Sequence, residues 1–247
     1  MRPGPTSDRP GIGLENTQRG LRMSTLSTVF CTTGLAAEAR VARAAGFPAL
    51  VGAGNHDRTT ALVDLALERA KCLVSFGVAG ALAPGLRPGD VILSGEVIGD
   101  DGRWGPTEEF KRRILDLAWQ IGAFEGPVLG ARSILATEDS KRSAWRETGA
   151  LAVDMESAVV ARAAAAAGIP FLVLRAIADP AVRELPSAAL IPLAENGTPA
   201  LARVLAEVLR RPRQIPTLLA LARETRQALA ALAAPARALR VLLAAVP

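Results

Sequence analysis

The stretch CLVSFGVAG, residues 72–80, is apolar along most of its length and ends with Gly77 and Gly80, two glycines separated by two small residues. A continuous apolar run that ends in a glycine turn is typical of a strand buried on both faces of a sheet. Similar apolar runs occur at residues 27–33, 90–98 and 170–179, and helix-like stretches separate them. This alternation predicts a mainly parallel sheet covered by helices on both faces.

The remaining elements follow from hydrophobic periodicity and from glycine and proline positions. We predict shorter strands within residues 48–54, 127–135 and 151–155, and helices at 35–45, 57–70, 107–122, 156–168 and 199–211. An amphipathic helix is predicted for residues 215–234, with Pro235 interrupting it before one or two final turns. Its apolar face comprises Ile215, Leu218, Leu219, Ala222, Leu229 and Leu232, with Arg226 at the edge.

A chain of 247 residues, half of them hydrophobic, is long enough for one large domain. We assign this domain to residues 27–211 and a C-terminal helical segment to 212–247, which packs on the domain or at a membrane or oligomer surface. Residues 1–26 are rich in Pro and Gly, and Met23 precedes the first apolar run. We therefore expect a disordered or wrongly assigned N-terminal extension, without the apolar core of a signal peptide.

Composition excludes several classes of site. Cys31 and Cys72 lie in apolar runs, and His56 is the only histidine, so a disulfide framework, a histidine-rich metal site and a Ser-His-Asp triad are all disfavoured. We expect a cytoplasmic protein without a metal or organic cofactor. The net charge of +5 suits an anionic membrane surface or an anionic small substrate equally well. Nucleic-acid binding is disfavoured because the chain has no Tyr and no basic run interleaved with aromatic residues.

Glycines and carboxylates collect where the predicted strands end. Ligands of open α/β sheets bind outside the carboxyl ends of the strands, and glycines allow backbone N–H groups to approach an anion. This edge therefore predicts a binding site, although its loops match neither a Walker nor a Rossmann motif. The residues at these positions are Gly34, Glu38, Gly52, Gly54, His56, Arg58, Gly77, Val78, Ala79, Gly80, Asp154, Met155, Glu156, Ser157 and Asp179.

Two longer segments carry a resemblance to a known family. SFGVAGALAPGLRPGDVILS (75–94) and AVDMESAVVARAAAAAGIPFLVLRAIAD (152–179) resemble the purine nucleoside phosphorylase and methylthioadenosine nucleosidase superfamily. The C-terminal stretches ELPSAALIPL (184–193) and LRRPRQIPTLLALARETRQAL (209–229) resemble its hopanoid-associated phosphorylase branch. The resemblance covers roughly residues 28–232. It implies a three-layer α/β/α sandwich with a mixed, largely parallel sheet, and a homo-oligomer.

The resemblance assigns roles to three residues. Asp179 corresponds to the strand-end acid that protonates or hydrogen-bonds purine N7, and Glu156 to the carboxylate that binds the ribose hydroxyls. Met155 corresponds to the thioether that packs against the sugar. N-glycosidic cleavage passes through an oxocarbenium-like sugar, and an acid that keeps its proton near neutral pH needs burial to raise its pKa.

The attacking group has two candidates. Glu38 lies near the position of the nucleosidase glutamate that activates water, whereas the phosphorylases bind phosphate with glycine loops and arginines. In the second case Gly34, Gly52, Gly54 and Arg58 form the anion loop, with Gly77, Val78, Ala79 and Gly80 lining the pocket. The chain departs from the family at three positions. Val78 lies where both branches commonly have serine, Ala178 lies where the nucleosidases have serine, and Ser140 lies where the nucleosidases have an aromatic residue against the base.

The resemblance implies an enzyme that releases adenine from an adenosyl substrate. The implied substrate is adenosylhopane, in hopanoid biosynthesis. Phosphate is then the co-substrate, or water if Glu38 acts. A soluble nucleosidase acting on methylthioadenosine or S-adenosylhomocysteine is the alternative enzyme. A non-catalytic nucleoside-binding module on the membrane is the alternative of another class. Peripheral contact with the inner membrane stays open, because apolar and arginine-rich helix faces suit an anionic interface.

Overall fold

The structure is a computed structural model that describes residues 28–244. The proposed extension at residues 1–26 lies outside the described residues. The strands are β1 (Thr28–Thr33), β2 (Ala49–Val51), β3 (Ala70–Ala81), β4 (Val91–Ser94), β5 (Val97–Gly99), β6 (Gly102–Trp104), β7 (Phe124–Glu125), β8 (Val128–Gly130), β9 (Ala152–Asp154) and β10 (Phe171–Asp179).

The helices alternate with the strands and then continue beyond them. They are α1 (Ala36–Ala44), α2 (His56–Leu67), α3 (Glu108–Ile121), α4 (Glu138–Thr148), α5 (Ser157–Ala167), α6 (Leu201–Arg210), α7 (Ile215–Ala231) and α8 (Ala233–Ala244). Short 3₁₀ helices cover Ser187–Leu190 and Pro212–Gln214.

One mixed sheet contains all of the described strands. Its main order is β6-β5-β8-β9-β3-β10-β4-β7, and β1 pairs with the first half of β3 and carries β2 on its other side. Six of the strand pairs are parallel and three are antiparallel, namely β10 with β4, β3 with β9, and β5 with β6. The mixed, largely parallel sheet expected from the sequence is confirmed.

Alternation along the strands places helices on both faces. Val29 and Cys31 of β1 pack with α3, α7 and α8 on one face, while Phe30 packs with α2 and α5 on the other. Leu174 and Val173 of β10 divide between the same two faces. Successive side chains of a strand point to opposite faces, so the chain forms the three-layer sandwich that the sequence predicts.

The direction of β9 positions the site. β1 and β10 run parallel to β3, so all three strands end towards one edge of the sheet. β9 runs antiparallel to β3 from Ala152, opposite Ala81, to Val153, opposite Gly80. The residues that follow β9 therefore return along β3 towards the end of β1 and the middle of β10, where Arg175 lies opposite Gly77.

The C-terminal segment shares a core with the sheet. Ala228 and Leu232 at the end of α7, and Ala236 and Leu239 of α8, are fully buried against β10 and its neighbours. The first half of the predicted apolar face of α7 is not covered, since Ile215 is 41% and Leu219 62% exposed.

The sequence prediction differs from the structure in several elements. The run 90–98 forms two strands with a bend at Gly95 between them, because β4 pairs with β10 and β7 whereas β5 pairs with β6 and β8. Strands β6 and β7 and helix α4 were not predicted. Pro235 lies in the first turn of α8, where proline is tolerated, so three helical turns follow the break instead of one or two.

Candidate active site

Glu38 lies at the centre of the site, one turn into α1 and only 2% exposed. Its Oε2 accepts hydrogen bonds from the backbone N–H groups of Gly34 (2.9 Å) and Leu35 (2.7 Å). Its Oε1 accepts a third, from the N–H of Val78 at 2.8 Å. Glu38 therefore connects the end of β1 to the glycine segment of β3. The sequence analysis placed Gly34 in an anion-binding loop, but the backbone N–H of Gly34 donates to Glu38 instead.

Gly77 makes this approach possible. Its φ of +152° is a conformation that side-chain-bearing residues rarely adopt. A Cβ at this position would collide with the Glu38 carboxyl group and lie 2.7 Å from Nη1 of Arg175. The glycine predicted to line the pocket thus provides the space in which a carboxylate and a guanidinium meet.

Arg175 lies in the middle of β10 and is 1% exposed. Its Nε lies 2.6 Å from Oδ2 of Asp154, and its Nη2 lies 3.3 Å from Oε2 of Glu156 and 2.6 Å from Oγ of Ser75. Ser157, the first residue of α5, donates its hydroxyl hydrogen to Asp154 and accepts from the hydroxyl group of Ser75. Burial of a charge is costly unless it is paired, and the carboxylates of Asp154 and Glu156 pair with this guanidinium. Its Nη2 is also hydrogen-bonded, whereas Nε makes the ion pair with Asp154 without a hydrogen bond of its own.

The carboxylates outnumber the cation in this cluster. Burial raises the pKa of Glu38 most strongly, and Arg175 and the three backbone N–H groups oppose that rise. Burial also raises the pKa of Glu156 to about 7; Arg175 lowers it, and the charges of Asp154 and Glu38 raise it further. The cluster can therefore hold a proton near neutral pH.

Asp179 is the last residue of β10, which lies beside β3 on the side opposite β9. It is 7% exposed, and its Oδ2 lies 2.5 Å from Nζ of Lys141. A Cβ at Gly80 would lie 3.2 Å from the same Oδ2, so this glycine gives the carboxyl group its place beside β3. Burial raises the pKa of Asp179, and the charge and hydrogen bond of Lys141 partly offset that rise.

The predicted anion loop forms a tight turn. Gly52 donates to the carbonyl of Thr33 at 2.8 Å, and Gly54 has a φ of +70°. Asn55 caps α2 by accepting from the N–H of Arg58, whose Nε donates to the carbonyl of Val51 at 3.1 Å. These contacts account for the loop as a turn and a helix cap, and an anion at Arg58 stays a prediction.

The structure also describes the remaining predicted residues. Met155 is half-buried beside Glu156, Ala79 is buried, and Val78 contributes its backbone N–H to Glu38. His56 is the first residue of α2. Among residues 28–244, no group of three or more His, Cys, Asp or Glu side chains could hold a metal ion.

Sequence reasoning missed Arg175 and Lys141 as site residues. An arginine inside the otherwise apolar run FLVLRAIAD was the available signal for the first, because a buried charge demands a partner. Lys141 gave no such signal, since it lies in a polar stretch in which a lysine is expected to be exposed.

The sequence profile of the phosphorylase superfamily matches residues 49–210. The chain is 30% identical to the 5′-methylthioadenosine/S-adenosylhomocysteine nucleosidase of Desulfotalea psychrophila over 150 residues. This match covers 53% of the chain and 63% of that enzyme, so it spans less than two thirds of the relative's length.

Solved structures share the fold at low sequence identity. The S-adenosylhomocysteine nucleosidase of Streptococcus pyogenes superposes with a TM-score of 0.64 at 16% identity, covering 91% of this chain and 99% of that one. The futalosine hydrolase of Helicobacter pylori superposes with a TM-score of 0.58 at 16% identity, covering 74% and 97%. Both likenesses support the α/β architecture described above.

Proposed function

Because this chain belongs to the phosphorylase superfamily, we propose that it is an enzyme that breaks the N-glycosidic bond of an adenosyl substrate and releases adenine. One observation carries the proposal: Glu156, just after β9, and Asp179, the last residue of β10, are both buried with raised pKa values on strands that flank β3. A protonated acid and a second carboxyl group are what an oxocarbenium-like reaction requires. In this proposal Asp179 protonates the departing purine, Glu156 binds the ribose hydroxyls and Met155 packs against the sugar.

We propose water as the attacking group and Glu38 as its general base. Three carboxyl groups, of Glu38, Asp154 and Glu156, surround the single guanidinium of Arg175, whose charge is already paired with Asp154 and Glu156. A phosphate dianion placed there would face like charges in a poorly screened site, whereas a water molecule would not. The side chain of Arg58 bonds Val51 and does not supply a second cation to this cluster.

The test measures adenine release from methylthioadenosine and from an adenosyl lipid, each with and without phosphate. We expect release without phosphate, and loss of at least 100-fold of the rate in Asp179→Asn. Asp116→Asn, on the exposed side of α3, is the matched control and should retain the wild-type rate. Strict phosphate dependence would contradict the role of Glu38 and identify a phosphorylase. Purine binding without any turnover by the wild type would favour the non-catalytic module.

We propose that the ribose 5′ carbon of the substrate carries a large apolar substituent, as in adenosylhopane. The reason is that the C-terminal stretches of the chain resemble the hopanoid-associated branch. Leu201, Leu205 and Leu209 on α6 are 74%, 59% and 74% exposed, which would suit a protein that collects a lipid-linked substrate at a membrane surface. Preference for methylthioadenosine over the adenosyl lipid would reject this part alone. The homo-oligomer expected from the resemblance likewise stays a prediction.

Among residues 28–244, no helix has both the length and the apolarity needed to cross a membrane.

A further inference from the structure

Helix α4 buries a single residue, and that residue is a lysine. Lys141 is 1% exposed, whereas the other side chains of α4 are half-buried or exposed. Lysine ordinarily keeps its ammonium group in water, and burial of the charge is costly unless it is paired. The buried ammonium group of Lys141 therefore needs partners that compensate its charge.

All three N–H bonds of the ammonium group can be assigned. Nζ donates to Oδ2 of Asp179 at 2.5 Å, to the carbonyl of Arg183 at 2.9 Å and to the carbonyl of Pro180 at 3.3 Å. No donor is left for a substrate. Oδ1 of Asp179 accepts no hydrogen bond within residues 28–244, so this oxygen can carry the proton that the leaving base needs.

We propose that Lys141 is a positioning residue that orients Asp179 through Oδ2 and stabilises the carboxylate formed when Oδ1 gives its proton to the departing purine. This inference rests on the proposed function, in which Asp179 is the general acid. The bond between the sugar and the purine breaks, its electron pair moves to the purine, and the Asp179 proton goes to a purine nitrogen. Water then adds to the sugar and gives one proton to Glu38, and solvent exchange restores both carboxyl groups.

The other charges that face Asp179 neutralise each other. Arg183, in the turn after β10, pairs with Glu224 of α7 at 2.8 Å, and both contribute to the electrostatic environment of Asp179. Lys141 is the charge of α4 that faces Asp179 directly. A nearby cation makes a buried carboxylic acid a stronger proton donor, because it stabilises the product carboxylate.

The pH dependence of kcat tests this role. The acid form of Asp179 is needed, so activity falls as pH rises through its pKa. In Lys141→Met the cation is gone and that pKa rises, so we expect the alkaline limb to move up by about one to three pH units. The plateau rate should fall at least about tenfold because the acid is weaker. Lys141→Arg should keep the alkaline limb near its wild-type position, and Lys111→Met, on the exposed side of α3, should change neither quantity.

Two further measurements separate the possible failures. Thermal unfolding of each variant identifies one that does not fold, and Lys141→Arg then carries the test. In an Asp179→Asn background, Lys141→Met should have no further effect on the rate, because the group it acts through is absent. A lower rate with an unmoved alkaline limb would overturn the proposal and leave Lys141 a structural residue. Full activity of Asp179→Asn alone would instead reject the proposed function.

Discussion

At the scale of single residues, Gly77 sets how closely the charged groups can approach β3. Alanine there would have to keep a φ of +152° and place a methyl group against Glu38 and Arg175. We expect Gly77→Ala to lower the free energy of unfolding by at least about 2 kcal/mol and to abolish turnover. Urea denaturation and an adenine-release assay measure the two effects.

Gly85 is the matched control for Gly77. It also has a positive φ, +90°, but a Cβ there would meet no atom within 4 Å. Gly85→Ala should therefore cost only about 1 kcal/mol of backbone strain and leave the rate unchanged. Equal losses at the two positions would contradict the view that crowding of the Glu38–Arg175 contact makes Gly77 necessary.

Glu156 should make the stability depend on pH in an unusual direction for a carboxyl group. Its pKa is raised from 4.5 to about 7 in the folded protein, mainly by burial. Its contribution to stability is therefore complete below about pH 4.5 and is lost as pH rises through 7. Relative to Glu156→Gln, the wild type should lose up to about 3 kcal/mol between pH 4.5 and 8.

Urea denaturation at several pH values measures this difference. Glu68→Gln, at an exposed position after α2, should run parallel to the wild type over the same range. A constant difference between the wild type and Glu156→Gln would show that Glu156 is ionised in the folded protein throughout.

The two charged residues missed by the sequence analysis show where residue-level prediction stops. Asp179 and Glu156 stood out because they follow apolar strands, and the resemblance assigned each a role. The partners of those residues depend on tertiary contacts: Lys141 meets Asp179 across 38 positions of sequence, and Arg175 meets Ser75 across 100. No local pattern encodes such a pair.

At the scale of elements, the amino-acid sequence predicts best those helices and strands that bury an apolar face. Residues 107–122 were predicted as one helix, and α3 begins after its Thr107 cap and ends at Gly122 with a φ of +66°. Helix α4 was missed because it buries no apolar side chain. Its local signals were the Thr137 cap, two acidic residues in the first turn, Arg146 in the last turn and Gly149 directly after it, which without hydrophobic periodicity did not suffice to predict the helix.

The C-terminal segment is an element whose role mutation can measure directly. Leu239 of α8 is fully buried in the core that α7 and α8 share with β10, whereas Leu209 of α6 is 74% exposed. We expect Leu239→Ala to lower the free energy of unfolding by about 2–5 kcal/mol. Leu209→Ala should change it by less than about 0.5 kcal/mol. A small effect at Leu239, measured by urea denaturation, would mean that α8 is dispensable for the fold.

At the scale of the whole molecule, charge and exposed apolar surface coincide. The net charge is +5, and Arg203, Arg210, Arg211 and Arg213 lie on or directly after α6, the helix that exposes three leucines. Its single acid, Glu207, turns towards the domain and accepts from Ser187 at 2.7 Å. An apolar stripe beside arginines is typical of helices that lie in the interface of an anionic bilayer.

Arginines beside an exposed apolar stripe should make α6 bind anionic membranes. The protein should sediment with vesicles that contain anionic lipid and much less with neutral vesicles, and added salt should weaken the binding because the arginines contribute through screened charge. Replacing Leu201, Leu205 and Leu209 together by serine should reduce binding more than about tenfold, since each leucine contributes by leaving water. Leu115→Ser, at a leucine of α3 that is 43% exposed, is the control and should bind as the wild type does.

Adenine release from a soluble nucleoside should be equal in all three proteins, because α6 does not contribute a side chain to the cluster around Arg175. Unchanged vesicle binding by the triple variant would reject α6 as a membrane surface, and self-association lost in that variant would assign the stripe to a second copy of the chain.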